Sequence, residues 1–97
     1  MPQVRAFGLD FFPGKATLQA PPRTKFLRAS MHISRLILQA LVYSDGEGNI
    51  GYDVYCLLDS QEADVSAEDF AGTVEVAEEI FSIFVVNPAK SLQSAAS

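Results

Sequence analysis

The feature that most constrains the fold of this chain is a series of short apolar runs, each followed by turn-forming residues. Val4 to Phe12 alternates, with large apolar side chains on one parity, which is typical of a strand with one buried face. Pro13-Gly14 and Pro21-Pro22 then interrupt the chain, because proline has no N–H to donate and glycine allows a positive φ. The spacing of these turns predicts short strands over residues 16–20 and 25–32.

Two later segments are compatible with either a strand or a helix. Leu36 to Ser44 is apolar on both strand faces, as in a central strand, but it also contains a helical stripe. The loop Asp45 to Asn49 contains two glycines and is followed by the β-prone run Ile50 to Leu58, so we predict a hairpin. Thr73 to Val76 and Ile80 to Val86 are interpreted as two strands around a turn at Glu78-Glu79, and one amphipathic helix from Val74 to Val85 is the alternative.

The whole pattern predicts one mostly β domain over residues 1–88. We expect an antiparallel sheet or sandwich of about five to seven short strands with at most one short helix, and α+β is the alternative class. Ser66 followed by Asp69 is the signal for that short helical turn. Residues 89–97 are small and polar and are predicted to form a flexible tail. At 97 residues and 48% hydrophobic, the chain has enough apolar residues for one core.

Charge is distributed unevenly along the sequence. Residues 1–44 contain six Lys or Arg and one Asp, whereas residues 45–97 contain eleven carboxylates and one Lys. The stretch from Asp59 to Glu79 has eight carboxylates and no Lys or Arg. Such asymmetry indicates a charged partner, although a run of charges is also typical of a solvated face that keeps a small protein soluble.

Residues that carry chemistry are sparse in this sequence. His32 is the only histidine and Cys56 the only cysteine, which argues against a zinc site within one chain, so no metal and no cofactor is predicted. Cys56 lies in an apolar run, and we predict a buried, unreactive thiol there. The loop that begins at Asp45 fails the EF-hand pattern, because Ile50 stands where glycine is required. We therefore predict a protein that is not an enzyme.

The expected partner is a protein. No run approaches the ~20 apolar residues that span a bilayer, and residues 1–20 show no signal peptide, so we expect a cytoplasmic protein without a membrane partner. Nucleic-acid binding is not expected, because the acidic half would repel phosphates. A compact row of carboxylates instead imitates a phosphate array, which predicts binding to a basic surface of another protein.

The predicted partner contacts combine charge with aromatic anchors, since aromatic residues dominate interface hot spots. These residues are Glu62, Asp64, Glu68, Asp69, Phe70 and Tyr52. The run over 80–86 is apolar on both parities, more than one face of a small sheet can bury, so a homodimer is also predicted. The residues expected at that interface are Phe81, Ile83 and Phe84.

Over residues 16–86 the motifs follow a recognisable order. A proline-bearing turn precedes a Phe-Leu strand, an Ala-Leu-Val strand, an aromatic-x-Gly-Thr-hydrophobic strand and an aromatic-rich last strand. The matching residues are Leu18, Pro21, Phe26, Leu27, Ala40, Leu41, Val42, Phe70, Gly72, Thr73, Val74, Phe81 and Phe84. In this order the chain resembles a loose class of small phage- and prophage-encoded β-domains of unknown function, although its predicted hairpin and acidic linker differ from that class.

This resemblance brings no catalytic residues. It implies an accessory factor that acts by binding, such as an inhibitor or modulator of a host nucleic-acid-handling or defence protein in the host cytoplasm. The alternative is a structural subunit of a virion or mobile element that forms homo-oligomers.

Overall fold

The computed structural model describes residues 2–43 and 48–88, and in it the chain is a mostly β domain of two antiparallel sheets. The three-stranded sheet has the order β1-β4-β3, and the four-stranded sheet has the order β2-β5-β7-β6. The strands are β1 (Gln3–Asp10), β2 (Gly14–Ala20), β3 (Thr24–His32), β4 (Arg35–Val42), β5 (Ile50–Leu57), β6 (Phe70–Val76) and β7 (Glu79–Val86). A 3₁₀ turn over Ala67–Asp69 precedes β6. The predicted tail and most of the loop over 45–49 lie outside the described residues.

The strand interpretation is confirmed for both ambiguous segments. In β4 the side chains of Leu36, Leu38 and Ala40 are buried on one face, while Ile37 and Leu41 are half-buried on the other. β4 pairs with β1 on one side and with β3 on the other, so a run that is apolar on both faces occupies the centre of its sheet. The segment predicted as either two strands or a helix is the hairpin of β6 and β7.

The predicted hairpin between Leu36–Ser44 and Ile50–Leu58 is wrong. β4 belongs to the three-stranded sheet, whereas β5 pairs with β2 and β7 in the four-stranded sheet. The chain therefore passes from one sheet to the other between these strands. Each run is apolar enough to serve as an interior strand, and local alternation does not specify which strand pairs with which.

Two tight turns use residues that rarely adopt a positive φ. The β6–β7 turn is Ala77-Glu78, one residue before the predicted position, with φ values of 52° and 68°. Both central residues are left-handed, as a type I′ turn requires. In the β3–β4 turn, Ile33 has a φ of 59° and is 89% exposed. A β-branched residue in this conformation is strained, because its Cβ approaches the backbone.

One hydrophobic core lies between the inner faces of the two sheets. Its largest fully buried side chains include Tyr52, Leu36, Leu38 and Ile83. The sheets approach each other most closely where β6 meets β3: a Cβ added to Gly72 would lie 3.1 Å from the backbone nitrogen of Ala29. Both strands have an irregular register beside this contact, and such bulges bend a strand toward its neighbour.

Candidate protein-binding surface

The outer face of the four-stranded sheet contains a row of large side chains. The strand register places Lys15 beside Tyr55, Tyr55 beside Phe84, and Phe84 beside Phe70. The Nζ atom of Lys15 lies 5.8 Å from the centroid of the Tyr55 ring, and the Phe70 and Phe84 rings meet edge to face at 5.5 Å. Phe70 is 47% exposed, so the row ends in an aromatic residue that is open to solvent.

A groove with a volume of about 530 Å³ lies between this outer face and the segment that links β5 to the 3₁₀ turn. Apolar side chains make up much of its lining: Leu57, Leu58, Ala63, Val65 and Phe84. Two exposed carboxylates, those of Asp59 and Glu62, line it as well, and the exposed Asp64 lies in the same segment. We call this feature the acidic groove.

Local hydrogen bonds shape the segment beside the groove. The backbone N–H of Leu58 donates to Oε1 of Gln61 at 2.7 Å, and the N–H of Gln61 donates to the carbonyl oxygen of Leu58 at 3.1 Å. Farther along, the N–H of Val65 donates to the carbonyl oxygen of Ala63 at 2.9 Å. These bonds close two short turns, so this part of the groove is made by a chain with defined local geometry.

The short helical turn that Ser66 and Asp69 predict is confirmed. The backbone N–H and the Oγ of Ser66 both bond to Oδ2 of Asp69, each at 3.1 Å. Asp69 is half-buried and caps its own turn, while Glu68 is exposed. Both residues line a second, smaller cavity of about 190 Å³, and neither lines the acidic groove. The four predicted acidic contacts are thus divided between two places, with Glu62 at the groove.

Tyr52 is not a surface anchor, so that prediction is wrong. Its side chain is 1% exposed, and its hydroxyl donates toward the carbonyl oxygens of Pro21 at 2.7 Å and Pro22 at 2.8 Å. Burial raises the pKa of the Tyr52 hydroxyl. The residue holds the proline turn onto the core, because the turn presents two carbonyl oxygens that need a donor.

Phe81 and Ile83, which the sequence argument expected at a dimer interface, lie in the core. Both side chains are buried in the core of one chain, and the Phe81 ring packs edge to face on Phe11 at 4.9 Å. Both side chains lie on the face of β7 that is directed toward the core. The three-stranded sheet covers this face, and β7 is an interior strand of its own sheet. Phe84 has the opposite parity, lies half-buried beside the acidic groove, and remains a predicted interface residue.

The thiol of Cys56 is buried, as predicted, and its burial raises its pKa to about 11. His32, the only histidine in the sequence, is exposed at the end of β3. Among residues 2–43 and 48–88, no three His, Cys, Asp or Glu side chains are grouped so that they could hold a metal ion.

Lys15, Tyr55 and Leu57 are surface residues that the sequence argument missed. The signal for the last two was the alternation in β5, where Tyr52, Val54 and Cys56 occupy the buried parity. Once one parity of an interior strand is assigned to the core, the other parity faces outward. The missing information was which neighbouring strands would place Lys15 and Phe84 beside Tyr55.

Comparison of the chain with protein families, with curated proteins and with solved structures finds no match. Within the described part of the chain, no helix is long and apolar enough to cross a membrane. The fold and the surface define a small antiparallel β-sandwich with an acidic groove on the outer face of one sheet.

Proposed function

We propose that this protein is a non-enzymatic binding module that recognises a basic segment of another protein through the acidic groove. One observation carries the proposal: apolar side chains and exposed carboxylates line the same groove. The class of protein is an accessory factor, such as a phage-encoded inhibitor or modulator of a host nucleic-acid-handling or defence protein in the host cytoplasm. The charge pattern favours a partner whose binding surface is rich in Lys and Arg.

The two kinds of side chain in the groove have different tasks. Apolar contacts with Leu57, Val65 and Phe84 supply most of the affinity, since they remove apolar surface from water. Exposed ion pairs with Asp59 and Glu62 contribute about 0.2–1 kcal/mol each and act mainly on the association rate. The preferred ligand is therefore an extended segment in which Lys or Arg alternates with aliphatic residues, and its binding weakens as salt increases.

Selection from a random-peptide display library on the immobilised protein tests this specificity. The proposal expects enrichment of sequences that combine Lys or Arg with aliphatic residues. A selected peptide is then measured by titration against the wild type and against Asp59→Asn/Glu62→Gln, which neutralises the two carboxylates that line the groove. The matched control is Glu78→Gln/Glu79→Gln, which removes the same number of charges at the β6–β7 turn.

The groove variant is expected to bind the selected peptide more weakly and with a smaller salt dependence, while the control binds like the wild type. Equal losses in both variants would show that only the overall charge matters. Enrichment of acidic or charge-free peptides would overturn the proposal.

A further inference from the structure

The outer face of the three-stranded sheet carries the opposite charge to the acidic groove. The parity that faces away from the core includes Arg35 on β4, Arg28 on β3 opposite Gln39, and Lys25 opposite Leu41. The register pairs Arg35 with Asp10 on β1, and its Nη1 donates to Oδ1 of that residue at 3.0 Å. Arg28 and Lys25 are exposed. The face is therefore basic along β3.

The bulge of β3 lies between these two cations. The register of β3 against β4 shifts between Phe26 and Arg28, which leaves Leu27 as the extra residue. Leu27 is 50% exposed, whereas Phe26 turns inward and packs on Tyr52 with ring centroids 5.3 Å apart. The segment from Lys25 to Arg28 thus presents an exposed leucine with a cation on each side. We call it the β3 bulge segment.

The β3 bulge segment has the composition that the acidic groove is expected to recognise. Leu27 matches the apolar lining of the groove, and Lys25 and Arg28 match the carboxylates of Asp59 and Glu62. Within one molecule, Lys25 lines the smaller cavity together with Glu68 and Asp69. The segment belongs to the three-stranded sheet and none of its residues lines the groove, so it is not placed against the groove of its own molecule. A second molecule has no such restriction.

We propose that the acidic groove of one molecule binds the β3 bulge segment of a second copy of this chain. The inference rests on the proposed function, because it uses the same groove and names its partner. The contact is head to tail: each molecule offers one groove and one bulge segment. Such heterologous contacts add further molecules unless a rotation closes them into a ring.

Charge reversal in each partner surface tests the contact by sedimentation velocity at low salt. The bulge variant is Lys25→Glu/Arg28→Glu, and the groove variant is Asp59→Lys/Glu62→Lys. The wild type is expected to form larger species as its concentration rises, and each variant alone is expected to stay monomeric. Mixing the two variants restores association, because each reversed surface then meets a surface of opposite charge.

A neutral variant and a matched control separate this contact from general charge effects. Leu27→Ser keeps every charge, and it is expected to weaken the association constant by about tenfold or more through loss of its apolar contact. Glu78→Lys/Glu79→Lys changes as much charge away from the groove, and this variant is expected to associate like the wild type. Circular dichroism spectra identify any variant that has failed to fold.

The possible results distinguish the inference from the proposed function. A wild type that stays monomeric at high micromolar concentration and low salt, but still binds the selected basic peptide, overturns the second copy as partner and leaves the groove function standing. A monomer that also selects no basic peptide overturns both. Association that the mixed variants do not restore also overturns the inference.

Discussion

The hydroxyl of Tyr52 ties β5 to the turn between β2 and β3, and its removal should measurably destabilise the fold. In Tyr52→Phe the ring remains, together with its edge-to-face contact with Phe26. The substitution therefore removes only the donor that lies 2.7 Å from the carbonyl oxygen of Pro21 and 2.8 Å from that of Pro22. Because the hydroxyl is buried, water replaces it poorly.

The size of the stability loss depends on the hydrogen bonds that the two proline carbonyl oxygens keep in the variant. The Oγ1 of Thr24 still donates to the Pro21 carbonyl at 2.7 Å, and Nδ2 of Asn87 still donates to the Pro22 carbonyl at a longer 3.4 Å. Because each carbonyl oxygen keeps one donor, the loss in the free energy of unfolding is smaller than that for a buried acceptor left with no hydrogen bond. We expect the free energy of unfolding to fall by about 1–2 kcal/mol, which lowers Tm by roughly 5–15 °C in a domain of this size.

Urea unfolding followed by circular dichroism measures this change, with Tyr55→Phe as the matched control. Tyr55 lies half-buried on the outer face of the same strand, and its hydroxyl removal is expected to change stability by less than about 0.5 kcal/mol. The midpoint should shift for Tyr52→Phe without a change in slope. Equal stabilities of the two variants would refute the argument that the hydroxyl holds the proline turn.

Three other substitutions, and a control for the last of them, test the strained and buried positions. Burial raises the pKa of the Cys56 thiol from 9.0 to about 11, so stability should hold below pH ~9 and fall by on the order of 2–3 kcal/mol as the pH rises through that interval. Cys56→Ala should reduce this alkaline loss at a cost of about 1 kcal/mol at neutral pH, and rapid labelling of the native thiol would contradict its burial. Ile33→Asn should stabilise the fold by about 1 kcal/mol in urea unfolding, because asparagine tolerates a positive φ better, and an unchanged midpoint would argue against strain at this turn. Gly72→Ala should cost about 2–4 kcal/mol, since its φ of 133° is strained for any side chain and the new Cβ would lie 3.1 Å from the Ala29 nitrogen. Gly51→Ala has an ordinary φ and meets only side-chain atoms, so its loss should be smaller; equal losses would contradict the backbone argument.

Local patterns in the sequence determined the class of fold and most of the strand positions. Alternation placed Leu36, Leu38 and Ala40 on one face of a central strand, and the structure buries that face. The pair Ser66 and Asp69 marked a single helical turn, and the apolar surroundings of Cys56 marked a buried thiol. These features depend on residues within a few positions of one another, because side-chain direction and turn geometry are local properties of the backbone.

Tertiary structure alone decided which strands pair and which apolar side chains remain at the surface. β4 and β5 belong to different sheets although they are consecutive strands in the chain. Tyr52 and Phe81 are in the core while Phe70 and Leu27 are exposed, although all four are apolar residues in β-prone runs. Pairing and burial depend on contacts between residues far apart in the chain, which alternation along one strand does not encode.

The charges show the same division between sequence and structure. The count of Lys and Arg in residues 1–44 and of carboxylates in residues 45–97 was visible in the sequence. Only the packing of the two sheets places Lys25 and Arg28 in the three-stranded sheet and the acidic groove on the other, whereas Lys15 lies on the same outer face as the groove. The strand pairing therefore decides which charges share a surface, because charges that are close in the sequence can belong to different layers of the fold.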